Sequence, residues 1–297
     1  MGIKARNLDP ELRGRILGVP RRELHVCKTD ATNLDYLYSN VPDGQLFHTI
    51  LDSVAASREY DRIIVWPGQY KEDAEIALDN PHVSLVAAYT GPNKALTQTE
   101  IRQYSNVAAN CITINAHGVE VAGFRLTPYG GTTYRSIVVA SSANSYGCYI
   151  HDNYFYAPQQ TGGQLTCGSA SYNADSIAIV NNEFWKGGNA GDQSTLAAIV
   201  MYKAYKFYFA YNTITAVGSG QYYMYCTDEV CNGKILNNVW FGAESGTKSI
   251  YVGTATAGDY CIDGNHGVNV TTGNLVATES VLNLGINYVG VTAEPLT

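Results

Sequence analysis

A short frame recurs through the second half of the chain and constrains its fold more than any other feature. Ile150-His-Asp-Asn153-Tyr-Phe155, Ile179-Val-Asn-Asn182-Glu-Phe184, Phe209-Ala-Tyr-Asn212-Thr-Ile214 and Ile235-Leu-Asn-Asn238-Val-Trp240 align with Asn in one slot. Ile262-Asp-Gly-Asn265-His-Gly267 follows them, and Val121-Ala-Gly-Phe124-Arg-Leu126 precedes them with Phe124 in that slot. Successive slots lie 29, 29, 30, 26 and 27 residues apart. One strand–turn–strand unit repeating at this period builds a solenoid, because each unit buries its apolar side only against its neighbours. Further apolar strands precede the slots: Ile137-Val-Val139, Leu196-Ala-Ala-Ile199-Val200, Tyr222-Tyr-Met-Tyr225 and Ile250-Tyr-Val252.

The repeated Asn has a physical role. A chain turning sharply between two strands needs a residue that tolerates left-handed backbone angles, and Asn does so at low cost. Stacked coils would also align the amides so that they hydrogen-bond along the stack. The residues three before and two after each slot are mostly Ile, Phe or Trp, which predicts apolar ladders inside. The Asn repeat is therefore structural rather than catalytic.

Upstream, Leu46, Ile50, Leu51, Val54 and Ala55 recur at helical spacing after Asp43-Gly44. The β-branched run Ile63-Ile-Val65-Trp66 follows, then Pro67-Gly68 and Tyr70-Lys-Glu72. Together, Gly44 to Ile50, Val54 to Ala56 and Asp61 to Glu72 resemble the opening segment of right-handed parallel β-helices of the pectin-lyase-like superfamily. The resemblance implies that the helix caps the open N-terminal end, where apolar core and strand edges would otherwise be exposed. It implies little about activity. The expected fold is all-β: a single-stranded right-handed parallel β-helix with an N-terminal capping helix and a short N-terminal arm. The expected segments are a basic arm over 1–24, capping helix and first coil over 25–80, β-helix over 81–268 and a C-terminal cap over 269–297.

The arm stands apart in charge. Residues 1–22 hold Lys4, Arg6, Arg13, Arg15, Arg21 and Arg22 against Asp9 and Glu11, and Asp9-Pro10-Glu11 reads as a helix start. Such a segment is too short to fold alone. It is either a solvated terminus or a tether onto an acidic partner. The whole chain carries −7, which argues against general nucleic-acid binding, and no apolar run is long enough to span a bilayer. Met1-Gly2-Ile3-Lys4 has no apolar stretch behind it, so a soluble protein folded in a cytoplasm is expected. The seven cysteines are an odd number and show no zinc-finger spacing, so they read as small core hydrophobes.

Enzymes of the resembled superfamily act on polysaccharides, and each of their chemistries needs particular residues. Pectate-lyase-like elimination needs calcium-binding carboxylates and an Arg base. Arg135 is the last Arg, and residues 136–297 set five lysines against eleven acids, which would repel an anionic sugar chain. The Gln-Asp-Thr-Leu and Asp-Phe-Ile-Phe-Gly segments of pectin methylesterases do not occur. Inverting hydrolysis needs two carboxyl groups roughly 6.5–9.5 Å apart. Neighbouring coils, about 4.8 Å apart, could supply a pair across equivalent turns: Asp152 with Glu183, or Asp228 with Asp259. Solvated turn acids are the blander account. His151 and Asp152 are adjacent, so strand alternation points them to opposite faces. No metal site and no cofactor are expected.

Tyrosine is the most enriched side chain. Tyr202, Tyr205, Tyr208 and Tyr211 fall in one run whose outward members would meet a sister subunit or stack on sugar. Three readings follow. The first is a non-enzymatic virion structural protein, resembling capsid decoration (cement) and head-fibre proteins of tailed phages. It would be assembled in the host cytoplasm and displayed on the virion surface, docked on capsid or tail proteins by its arm and packed side by side as a homotrimer. The second is a tailspike-like polysaccharide depolymerase, and the third a glycan-binding adhesin. Neither nucleic acid nor membrane is an expected partner.

Overall fold

The computed structural model describes residues 22–31, 34–89, 99–103, 109–128, 134–140, 142–157, 164–186, 198–216, 223–226, 233–242, 250–252, 260–268, 276–278, 283–284 and 288–289. They form a right-handed parallel β-helix. Its short strands belong in rotation to three sheets of eleven, nine and eight strands, with a small fourth sheet formed by Ser145–Tyr146, Ala174–Asp175 and Ala204–Tyr205. One circuit runs through Tyr149–His151 in the first sheet, Tyr154–Ala157 in the second and Leu165–Cys167 in the third. The next runs through Ala178–Val180, Glu183–Lys186 and Ile199–Met201, each paired in parallel with its predecessor.

Register stacks like on like. Ile137, Leu165, Ile199 and Met224 align in the third sheet, as do Val139, Cys167, Met201 and Cys226, and all are fully buried. Phe155 and Phe184 stack at 4.4 Å, and Phe209 and Trp240 continue the aromatic filling. The thiols of Cys27, Cys111, Cys148, Cys167 and Cys226 are buried as core side chains, as expected. Burial pushes the Cys148 thiol up to about 11, so it stays protonated.

The corner between the first and second sheets takes two residues. The residue before each slot is left-handed: Gly123 (φ 83°), Asp152 (57°), Asn181 (56°), Tyr211 (56°), Asn237 (54°) and Gly264 (65°). This corrects the expectation that the slot Asn itself makes the left-handed turn. The slot residue is instead needed inside, where its amide is buried. Asn153, Asn182, Asn212, Asn238 and Asn265 form a continuous ladder, each Nδ2 donating to the next Oδ1 at 2.9–3.1 Å. Each of the last four Oδ1 atoms also accepts the preceding slot's backbone N–H, and Asn153 Oδ1 accepts that of Phe124, which closes the ladder's near end.

The N-terminal end differs from expectation in detail. Glu23–Val26 is already a strand of the first sheet with Leu24 and Val26 fully buried, so the solenoid begins inside the 1–24 segment. Leu46–Phe47 pairs with that strand and is not helical. The capping helix is confined to Ile50–Ala55, because Thr49 is its N-cap and accepts the Asp52 N–H. A second helix spans Leu34–Asn40. Buried Glu72 accepts the Ile50 N–H at 3.1 Å, and desolvation raises its pKa. At the other end, Val276–Thr278, Asn283–Leu284 and Tyr288–Val289 each extend one of the three sheets, so part of the expected cap is a further coil.

Candidate functional site

Chemistry on this rod has to sit on outward side chains. Among the described residues, a concentrated polar group lies on the first sheet. His151 Nε2 is 3.1 Å from Glu120 Oε1, its Nδ1 is 2.6 Å from Asp152 Oδ2, and the Tyr149 ring stacks on it at 4.0 Å. Strand alternation had His151 and Asp152 on opposite faces. The left-handed backbone at Asp152 turns its side chain back onto the ring instead. Burial opposes a charged His151, but hydrogen bonds to Glu120 and Asp152 and their charges outweigh it and raise its pKa. Asp152 also accepts from Asn181 one coil on. Both ring nitrogens are thus engaged, which makes His151 a clamp between coils.

Two of the four candidate carboxylates, Asp152 and Glu183, are among the described residues. Asp152 serves His151 and Asn181 at the corner. Glu183 opens a strand of the second sheet, in register with Tyr154. Asp228 and Asp259 lie outside the described residues. Arg135 is buried (9% exposed), with Nε donating to Thr166 Oγ1 at 3.0 Å and no partner for Nη1. Burial lowers its pKa.

The outward face of the second sheet carries Tyr154, Tyr156 and Glu183 together with Glu100, Arg125 and Trp185, which composition does not mark. Glu100 accepts from Gln69 Nε2 at 2.7 Å and from Thr127 Oγ1 at 2.6 Å. The Arg125 guanidinium lies 4.3 Å from the Tyr156 ring centre and 5.8 Å from that of Tyr154. Tyr156 stacks on Trp185 at 5.0 Å with 19° between the planes. Burial, then the nearby Glu183 charge, push Tyr154 up to about 12, against the opposing effect of Arg125. Tyr154 and Tyr156 stand one and three places after a slot, as Glu183 and Trp185 do, so the repeat itself carried the signal.

Tyr202, Tyr205, Tyr208 and Tyr211 wrap around one coil rather than running along the rod, and only Tyr211 is strongly exposed (55%). Burial and Tyr211 raise the pKa of Tyr208. Of the basic arm, Lys4, Arg6, Arg13, Arg15 and Arg21 lie outside the described residues. Arg22 is pinned: its guanidinium pairs with Asp61 and donates to Ala56 O at 2.8 Å. Among the described residues, no group of three or more His, Cys, Asp or Glu is placed to hold a metal ion.

No protein-family model matches this chain, and no curated protein matches its sequence. Solved structures match in shape. Pectin methylesterase PemA from Erwinia chrysanthemi superposes with a TM-score of 0.55 at 12% identity, over 94% of this chain and 92% of its own. The deglycosylated pectin methylesterase from Aspergillus niger gives 0.55 at 13% identity, over 91% and 86%. YbhC of Escherichia coli gives 0.56 at 10% identity, over 88% and 75%. At such identities the likeness is one of architecture: this chain has the right-handed parallel β-helix fold of pectin-lyase-like proteins.

Proposed function

We propose that this protein is a non-catalytic component of a virion surface, a capsid decoration (cement) or head-fibre protein of a tailed phage. On this reading it is assembled in the host cytoplasm, docks on capsid or tail proteins through its basic N-terminal segment and joins two further copies side by side. The phage context rests on analogy of fold. The side-by-side contact rests on Tyr211. Its corner is otherwise occupied by Gly, Asp or Asn, the residues at ease with left-handed angles. A bulky side chain there costs roughly 1–2 kcal/mol, and Tyr211 recovers little by burial because it is mostly exposed. Strain kept at an exposed position favours a contact role. Half-buried Val180 and Leu236 lie on the adjoining face, with exposed Tyr146 and Tyr149 on its other edge. Apolar surface framed by tyrosines suits packing on another copy.

Sedimentation of the full chain and of Tyr211→Asn tests the contact, and binding of a chain lacking residues 1–21 to particles stripped of the protein tests docking. The truncation stops before Arg22 because that side chain holds Asp61. The reading expects a trimer weakened by Tyr211→Asn and a truncated chain that folds without docking. A full chain that stays monomeric at tens of micromolar and ignores the particles overturns it.

A polysaccharide-degrading reading draws support from shape neighbours named pectin methylesterase and from the Glu120–His151–Asp152 group. Release of reducing ends or unsaturated sugars, abolished by Asp152→Asn, would establish it in place of the structural one.

A further inference from the structure

We propose that a gap in the aromatic stack on the second sheet binds one neutral pyranose ring of a glycan chain. The inference does not depend on the particle reading. Along the rod, Arg125 covers Tyr156, Tyr156 covers one face of Trp185, and strand register then places Thr215 and Phe241 on the next two coils. Adjacent coils are about 4.8 Å apart, so Trp185 and Phe241 stand about 9.6 Å apart along the axis. Only a threonine lies between them in that column. Rings on adjacent coils of this protein stack at 4.4–5.0 Å. Strand register therefore sets half-buried Trp185 and exposed Phe241 two coils apart with Thr215 between them, and among the described residues no ring stands at that level of the column.

The chemistry of the gap selects its occupant. A pyranose offers two C–H faces to aromatic walls and hydroxyls around its rim. Thr215 supplies a polar floor, and Thr213 and Glu183, paired with each other, lie in the next column of the same strands. A few polar groups among apolar walls fix a ligand's orientation. Residues 136–297 carry a net −6, which disfavours a uronate and leaves a neutral hexose.

The test uses the full chain on an array of neutral oligosaccharides, then calorimetric titration with maltohexaose, cellohexaose and mannohexaose. Thr215→Phe fills the gap in register with its neighbours and should leave thermal unfolding unchanged or higher. Trp185→Ala removes one wall. We expect saturable binding by the native chain and at least tenfold weaker binding by both variants. Three results would overturn the proposal. One is no binding across the array, and another is equal binding by Thr215→Phe. The third is self-association abolished by Thr215→Phe without sugar binding, which would assign the gap to an aromatic side chain of a second copy.

Discussion

Asn212 is the middle rung of the amide ladder, and replacing it with Ala measures what the ladder contributes. Its Oδ1 accepts the Asn182 backbone N–H at 2.8 Å and Asn182 Nδ2 at 3.1 Å. Its Nδ2 donates to Ile179 O at 2.9 Å and to Asn238 Oδ1 at 3.1 Å. Asn212→Ala removes all four bonds. Asn182 Nδ2 keeps Ile150 O, and Asn238 Oδ1 keeps the backbone N–H of residue 212. The Asn182 backbone N–H keeps no side-chain acceptor. One orphaned buried amide costs about 1–3 kcal/mol, and each further lost bond about 1 kcal/mol net. The expected loss is therefore about 4–6 kcal/mol, at or beyond the upper end for single substitutions. Chemical denaturation followed by circular dichroism reads it, with exposed Lys234→Ala as a control expected within about 0.5 kcal/mol. Asn182→Ala combined with Asn212→Ala should be non-additive by about 0.5–3 kcal/mol, because the two share bonds. A loss below about 1 kcal/mol for Asn212→Ala, or strict additivity of the pair, would refute a cooperative ladder.

Three other expectations follow from the same geometry. The folded pKa of His151 is raised, so its stabilisation is full below about pH 6.5, the unfolded value, and fades as pH rises through the folded one. The stability gap between the native chain and His151→Gln should therefore be widest below about pH 6.5 and shrink as pH rises above it, and a constant gap would contradict the clamp. Gly168 has φ 83°, and a Cβ there would sit 2.6 Å from the Lys203 backbone nitrogen. Gly168→Ala should cost more than about 2 kcal/mol in thermal or chemical unfolding. Tyr211→Gly should raise the stability of the isolated chain by about 1 kcal/mol by relieving the left-handed corner while weakening self-association; a destabilised chain would show that Tyr211 is held by contacts within its own coil.

The interior of the rod was legible because it follows a local rule. Ile150, Ile179, Phe209, Ile235 and Ile262 were expected inside from their place three before the slot, and all are fully buried. The amide ladder followed from the same alignment. The left-handed turn was placed one residue late, because propensity says that Asn tolerates such angles but not which neighbour adopts them. That one-residue difference decided more than the turn. It brought Asp152 onto His151 and so joined a strand residue to a corner residue.

Outward chemistry was less legible. The Tyr202 to Tyr211 run is a cluster in sequence, yet in space it rings a single coil. Arg125, Tyr156 and Trp185, separated by whole coils in sequence, form one stack. Arg22 counted with a charged terminus and proved to be tied to Asp61.

From its residues alone, this chain was bound to coil into a parallel β-helix with stacked amides, because a period of strand and turn residues repeats wherever the core needs it. Only the folded molecule decided which side chains meet on the outside. Those meetings depend on coil-to-coil register and on the hand of single corner residues, neither of which leaves a periodic mark in composition.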